Sequence, residues 1–207
     1  MLPRIASYTL DTDAFPTNST EWLPDPSRAA LLVHDMQNHF VDAFDPHPES
    51  QIKRAIGNID LLSQFARQED MPLIYTAQPP AQQPQDRQLL NDFWGSGMQS
   101  AQGAQIIQQL APRPEDTVLT KWRYCAFYRT DLDHRLRNYG KDQLWITGIY
   151  SHIGCLTTAL TAFMKGYKVF FIGDAQADFS REEHQMALSY VAQRCGQTIQ
   201  SARILKS

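Results

Sequence analysis

Short apolar runs rich in β-branched and aromatic residues alternate with helix-length amphipathic stretches along most of the chain. The runs are Ala29–Met36, Met71–Ala77, Thr117–Lys121, Gln143–Ile149, Lys168–Asp174 and Gln197–Ser201. That alternation predicts βαβ units around a parallel sheet. Between the first two runs, Ile52, Ile56, Ile59, Leu62 and Phe65 recur at three- and four-residue intervals, the stripe a helix needs to cover a sheet. Later helix ends are marked by Gly140 after Asp131–Tyr139 and Gly166 after His152–Lys165, each where a left-handed C-terminal cap would sit. Ser180, three residues before Glu183, forms a capping-box signature at the start of Glu182–Arg194. Residues 1–28, rich in Pro, Thr, Asp and Ser, are predicted to run over the surface before the first strand. Residues 79–100, with Pro79, Pro80, Pro84, Gly95 and Gly97, read as a long loop holding a short helix. A loop of that length in a compact domain is more often functional than idle.

At 207 residues, with 43% hydrophobic and 20% charged, the chain can bury a sizeable core without staples, and no repeat or linker divides it. One domain over residues 1–207 is expected. The net charge of -3 offers no broad basic surface, so nucleic acid is not an expected partner. Cys125, Cys155 and Cys195 are odd in number and widely spaced, which suggests a reducing, cytoplasmic setting rather than a disulfide framework. No charged segment followed by an apolar run opens the chain, and no window approaches a membrane span; neither secretion nor membrane insertion is expected.

In an open parallel sheet, ligands bind beyond the carboxyl ends of the strands. There the sequence places His34-Asp35-Met36-Gln37, then Gln78, then Lys121-Trp122-Arg123, then Tyr150-Ser151-His152, with Cys155 near the start of the next helix. Exposed N–H groups at such a helix start favour an anion. Asp35 follows the apolar run Ala29-Ala30-Leu31-Leu32-Val33, where desolvation would raise its pKa and suit it to proton donation; it could equally cap the next helix. Lys121 could pair with Asp35, hold a substrate carboxylate or end its strand in solvent. Cys155 reads as a small buried hydrophobe or as a reactive thiol. His34 and His152 read as hydrogen-bonded structural histidines. No glycine-rich phosphate fingerprint occurs, and Asp45-Pro46-His47 lacks a third ligand after strand two, where Gln78 stands, so no metal site is expected.

Together, Leu31–Gln37, Tyr75–Pro79, Leu90–Gly95, Leu119–Tyr124, Thr147–Cys155 and Asp174–Ser180 resemble the isochorismatases of siderophore pathways and the amino-isochorismatase of phenazine pathways. The resemblance runs in one register from about residue 3 to residue 205. It implies a three-layer α/β/α, Rossmann-like fold with a six-stranded, mostly parallel sheet, and no cofactor or metal. It implies hydrolysis of the enolpyruvyl vinyl ether of isochorismate or 2-amino-2-deoxyisochorismate, with Asp35 as general acid. Gln78, Arg87, Lys121 and Tyr150 would orient the carboxylates and ring hydroxyl; Phe40, Trp94, Tyr124 and Phe127 would wall the ring, with Gly154 beside it. Cys155 stands at the nucleophile position of the wider cysteine-hydrolase superfamily, so Asp35, Lys121 and Cys155 would form its triad. A thiol is dispensable for vinyl-ether hydrolysis. Ser151 and Cys125 depart from the Ala and Ser usual in close relatives, which leaves the choice between the two substrates open. The resemblance suggests a homodimer, and an aryl carrier protein supplied by another polypeptide is a possible partner. The competing readings are a cysteine-dependent amidase using Cys155 with Asp35 as base, tested by thiol alkylation, and a non-catalytic partner in an assembly line.

Overall fold

The computed structural model describes residues 2–11 and 15–206; residues 1, 12–14 and 207, including part of the opening segment and the last residue, lie outside the described residues. Strands β1 (Ala29–His34), β2 (Leu73–Ala77), β3 (Thr117–Thr120), β4 (Gln143–Ile149), β5 (Lys168–Ala177) and β6 (Gln197–Ile199) form one sheet in the order β3-β2-β1-β4-β5-β6. Every neighbouring pair is parallel. Strand order reverses between β1 and β4, so a crevice opens beyond their carboxyl ends.

The helices are α1 (Asn38–Val41), α2 (Gln51–Gln68), α3 (Pro84–Arg87), α4 (Leu90–Trp94), α5 (Ala101–Ala104), α6 (Leu132–Asn138), α7 (Leu156–Met164), α8 (Arg181–Arg194) and α9 (Ser201–Ile204). The pleat of β1 divides them into two layers, because successive side chains point to opposite faces. Leu31 and Val33 join Ile52, Ile56, Ile59 and Leu62 of α2 in one buried cluster. Ala30 and Leu32 join Leu132 and Leu136 of α6, Ala159 of α7 and Leu188 of α8 in the other. Both faces being covered explains why β1 is apolar without alternation.

Gly140 and Gly166 have φ of 65° and 89°, the left-handed caps the sequence marks. Ser180 Oγ accepts the N–H of Glu183 at 3.2 Å and caps α8. The opening segment is more than a surface strap: Ile5 and Leu10 are buried, and Asn18 exchanges hydrogen bonds with the backbone of Thr198 at 2.8 and 2.9 Å, covering the edge of β6. Strand β5 runs to Ala177 rather than stopping at Asp174, since the polar Gln176 finds partners inside: its Nε2 donates to the Ile146 carbonyl at 2.9 Å. The stretch read as a helix from His152 begins as a π-helical turn, Ser151–Cys155.

Candidate active site

At the end of β1 the chain turns sharply at Asp35, whose φ of 50° is a conformation that disfavours non-glycine residues by roughly 1 kcal/mol. Its carboxylate caps no helix. Oδ1 accepts the Thr76 hydroxyl at 2.6 Å, and Oδ2 accepts Gln78 Nε2 at 3.2 Å and Lys121 Nζ at 2.7 Å. Gln78 is itself held by Gln37, whose amide side chain exchanges two 2.8 Å bonds with the Gln78 backbone. Lys121 is 1% exposed and donates also to the Tyr124 carbonyl at 3.1 Å.

Burial pushes the Asp35 carboxyl upward, but Lys121, His34 and the Thr76 hydroxyl together outweigh it and hold Asp35 below the ordinary aspartate range. The upward shift expected from its apolar flank is therefore reversed by the ion pair. His34 is driven down to about 4, by burial first and then by the Lys121 charge. As a neutral ring it donates through one nitrogen, and Nδ1 lies nearer its carbonyl (Ile149, 2.9 Å) than Nε2 does (Tyr124, 3.2 Å).

These groups open on a cavity of about 590 Å³. Asp35, Gln78, Lys121, Tyr150 and Gly154 lie on its floor side, and Phe40, Trp94 and Tyr124 also line it. Residues 79–100 supply much of the opposite side through Arg87, Leu90 and the stretch from Trp94 to Ser100. Arg87 is 5% exposed, its Nε donates to the Gly95 carbonyl at 2.5 Å, and no carboxylate pairs with it among the described residues. Its guanidinium lies against Gly97, where an added Cβ would meet Arg87 Cζ at 2.5 Å. Burial and the neighbouring Arg123 charge hold its pKa below the usual arginine range.

Tyr150 lies among aromatics, with ring centroids 4.4 Å from Phe179 and 5.8 Å from Phe44, and its hydroxyl donates to the Phe40 carbonyl at 3.3 Å. Gly154 borders the cavity, and the space beside its Cα is taken by the His34 ring; a Cβ there would come within 2.1 Å of Cε1.

Two predicted residues lie elsewhere. Phe127 stacks on Tyr167 with centroids 6.1 Å apart and sits under Lys165, in the layer of α6 and α7 rather than at the cavity. Cys155 is fully buried behind the cavity lining, its Sγ 3.8 Å from the Thr147 carbonyl, and burial holds the thiol well above its usual pKa. The anion site expected at this helix start is filled from within: Asp178 Oδ2 accepts the His152 N–H at 2.6 Å and Oδ1 meets His152 Nδ1 at 2.6 Å. His152, Asp178 and Glu183 offer metal-ligating atoms within 4.8 Å of one another, but Asp178 also accepts the Phe179 N–H and Glu183 the Ser180 hydroxyl, so the protein satisfies them itself. Asp45 and His47 form only an exposed turn, the His47 N–H on Asp45 Oδ1 at 2.9 Å.

Ser151 and Cys125 do not line the cavity either. Ser151 donates to Gln176 at 2.7 Å and Cys125 contacts Thr161 at 3.3 Å, so neither reaches a bound molecule directly. Sequence reasoning set Arg123 beyond β3, where ligands bind, but gave it no role, and it missed His39 and Phe179 as cavity residues. The position of Arg123 beyond β3 was a usable signal; His39 and Phe179 had none in spacing alone.

The doubly wound, six-stranded parallel sheet flanked by helices is the fold of the cysteine hydrolases and isochorismatase-like hydrolases. A solved cysteine hydrolase from Pseudomonas syringae pv. phaseolicola 1448A superposes with a TM-score of 0.79 at 25% identity, covering 92% of this chain and 96% of that one. The isochorismatase domain model matches residues 29–203, and the chain belongs to the isochorismatase family. It is 52% identical to the isochorismatase of Bacillus subtilis over 99% of this chain, spanning 66% of that relative's length. It is 41% identical to the phenazine biosynthesis protein PhzD of Pseudomonas fluorescens, over 99% of this chain and 98% of that protein. Among the described residues no helix is long and apolar enough to cross a membrane.

Proposed function

We propose that the protein hydrolyses the enolpyruvyl ether of isochorismate or of 2-amino-2-deoxyisochorismate, releasing pyruvate and a dihydrodiol or its amino counterpart. One observation carries this reading: the titratable pair facing the cavity is Asp35 with Lys121, whereas the Cys155 thiol is buried behind the lining and held neutral. An acid mechanism uses the first and does without the second. Asp35 protonates the terminal methylene carbon, turning it into a methyl group and leaving an oxocarbenium ion at the adjacent ether-bearing carbon. Water adds to that adjacent carbon and gives up a proton, and the resulting hemiketal loses the ring alcohol as pyruvate forms. Proton transfer to carbon is the difficult step, and a positioned acid contributes about 10²- to 10⁴-fold.

The free protein holds Asp35 ionised, so the acid has to gain its proton with substrate. An incoming carboxylate competes for Lys121 and adds a like charge, and both effects raise the Asp35 pKa. Lys121, Arg87, Gln78 and Tyr150 orient the two carboxylates and the ring hydroxyl, Arg87 through a planar fork that no carboxylate among the described residues pairs with. Phe40, Trp94, Tyr124 and Phe179 wall the ring. A homodimer, a cytoplasmic location and a carrier protein on a separate chain belong to the same proposal; sedimentation of the purified protein tests the first.

The test is pyruvate release from each substrate, coupled to lactate dehydrogenase, for the wild type, Asp35→Ala and Cys155→Ala. Release abolished by Asp35→Ala and retained by Cys155→Ala supports the acid mechanism. Loss in Cys155→Ala equal to that in Asp35→Ala, or no release from either substrate, overturns it in favour of an amidase.

A further inference from the structure

The segment Lys121 to Tyr124, immediately beyond β3, holds both sides of the cavity. Lys121 pairs with Asp35. Arg123 reaches the other way: Nη1 donates to the Asp86 carbonyl at 2.6 Å and to the Trp122 carbonyl at 2.7 Å, and Nη2 donates to Gln88 Oε1 at 2.8 Å. Asp86 and Gln88 flank Arg87. Tyr124 adds a second tie, its hydroxyl accepting Trp94 Nε1 at 2.8 Å.

Arg123 and Arg87 are two cations close enough that the first depresses the pKa of the second. Repulsion alone would drive the Arg87 segment away. It stays because the Arg123 fork is spent on that segment's carbonyl and amide oxygens, and because Arg87 is fastened to Gly95 and laid across Gly97. A planar guanidinium can bridge two acceptors on different residues, and a lysine ammonium in that place cannot match the geometry.

We propose that Arg123 is a positioning residue, which seats the Arg87 segment over the cavity and thereby sets the placement of the Arg87 guanidinium. Its effect on substrate passes through Arg87. That part rests on the reading of Arg87 as a clamp for a substrate carboxylate; the seating of the segment does not.

Two measurements separate the two parts. Amide hydrogen exchange over residues 84–97 in the substrate-free protein reads seating without any assumption about the reaction, and Arg123→Gln is expected to accelerate it while exchange in β1 and β4 is unchanged. A double-mutant cycle with Arg87→Gln, read as KM and kcat for pyruvate release, tests the route. Arg123→Gln alone is expected to raise KM about tenfold, the effect of losing a charge-assisted bond, with kcat changed less. In the Arg87→Gln background it is expected to add nothing, and Arg123→Lys to fall between. Additive losses with unchanged exchange would mean that Arg123 touches substrate itself and would overturn the proposal, as would unchanged exchange and unchanged KM. Accelerated exchange in a protein that releases no pyruvate would keep the tether and discard the reaction.

Discussion

Lys121 Nζ lies 2.7 Å from Asp35 Oδ2, both groups out of solvent, and this contact is the largest of the influences that together outweigh the effect of burial on the carboxyl. The free protein therefore carries a carboxylate at neutral pH. If Asp35 is the acid, kcat/KM, which reports the free enzyme, falls about tenfold per pH unit above the depressed Asp35 pKa. The kcat profile, which reports the bound complex, breaks at higher pH because substrate carboxylates raise that pKa. A base at Asp35 gives the opposite sign, with kcat/KM rising to a plateau, so pH profiles of the two constants decide between them.

Cys155→Ala is expected to keep most of the activity and to lower stability by about 1 kcal/mol, the effect of deleting one buried atom group in a packed layer. Iodoacetamide should alkylate Cys155 only as fast as the protein unfolds. Rapid inactivation of the folded protein, prevented by substrate, would contradict the buried thiol.

Gly97→Ala places a methyl group into the Arg87 guanidinium, at a φ of 68° that an L side chain resists. The displaced fork should raise KM about 10- to 100-fold, the range for losing a hydrogen bond to a charged group, with kcat less affected. Steady-state kinetics of Gly97→Ala beside Arg87→Gln checks it: the two are expected to match.

His152 is pulled down by burial but up by Asp178 and Glu183, and the net direction is upward. The sign follows from linkage. A pKa raised on folding contributes stability that is fully present below the unfolded value, near 6.5, and is lost as pH rises through the folded one. Thermal unfolding should therefore show wild type more stable than His152→Gln at pH 6, with the gap narrowing above neutrality. A gap that widens with pH would contradict the ion pair. Asp178 answers differently, being raised by its own burial despite three N–H donors, so the half-buried His152 is the better probe.

Much of this was legible because burial on both faces leaves a plain mark. β4 was bounded correctly at Gln143 and Ile149, since its side chains are buried on both sides, and Asp35, Gln78, Lys121 and Tyr150 could be placed by strand ends alone. What failed was what depends on side-chain direction or on remote partners. Phe127 sits in the loop beyond Tyr124 and turns to Tyr167, a contact that no spacing reports. The apolar flank of Asp35 points to a raised pKa, while pairing with Lys121 is only one of three readings of that lysine; the 2.7 Å contact leads the influences that reverse the direction. Asp178, which occupies the expected anion site, is remote in sequence from the turn it fills.

The two strands that frame the cavity are joined by contacts such as Thr147 Oγ1 to the Leu32 carbonyl, across 115 residues of chain. On a ribosome adding about 5–20 residues each second, β1 waits roughly 6 to 23 s for β4 to be made. During that interval the β4-facing edge of the apolar strand Ala29 to Val33 is unpaired, with only β2 and α2 against it, and the side of the cavity that Tyr150 and Gly154 supply does not yet exist. The same order that sets Asp35 and Tyr150 on neighbouring strand ends thus makes the synthesis of β4 the moment at which the cavity can be completed, after Asp35, Thr76, Gln78 and Lys121 have already been made.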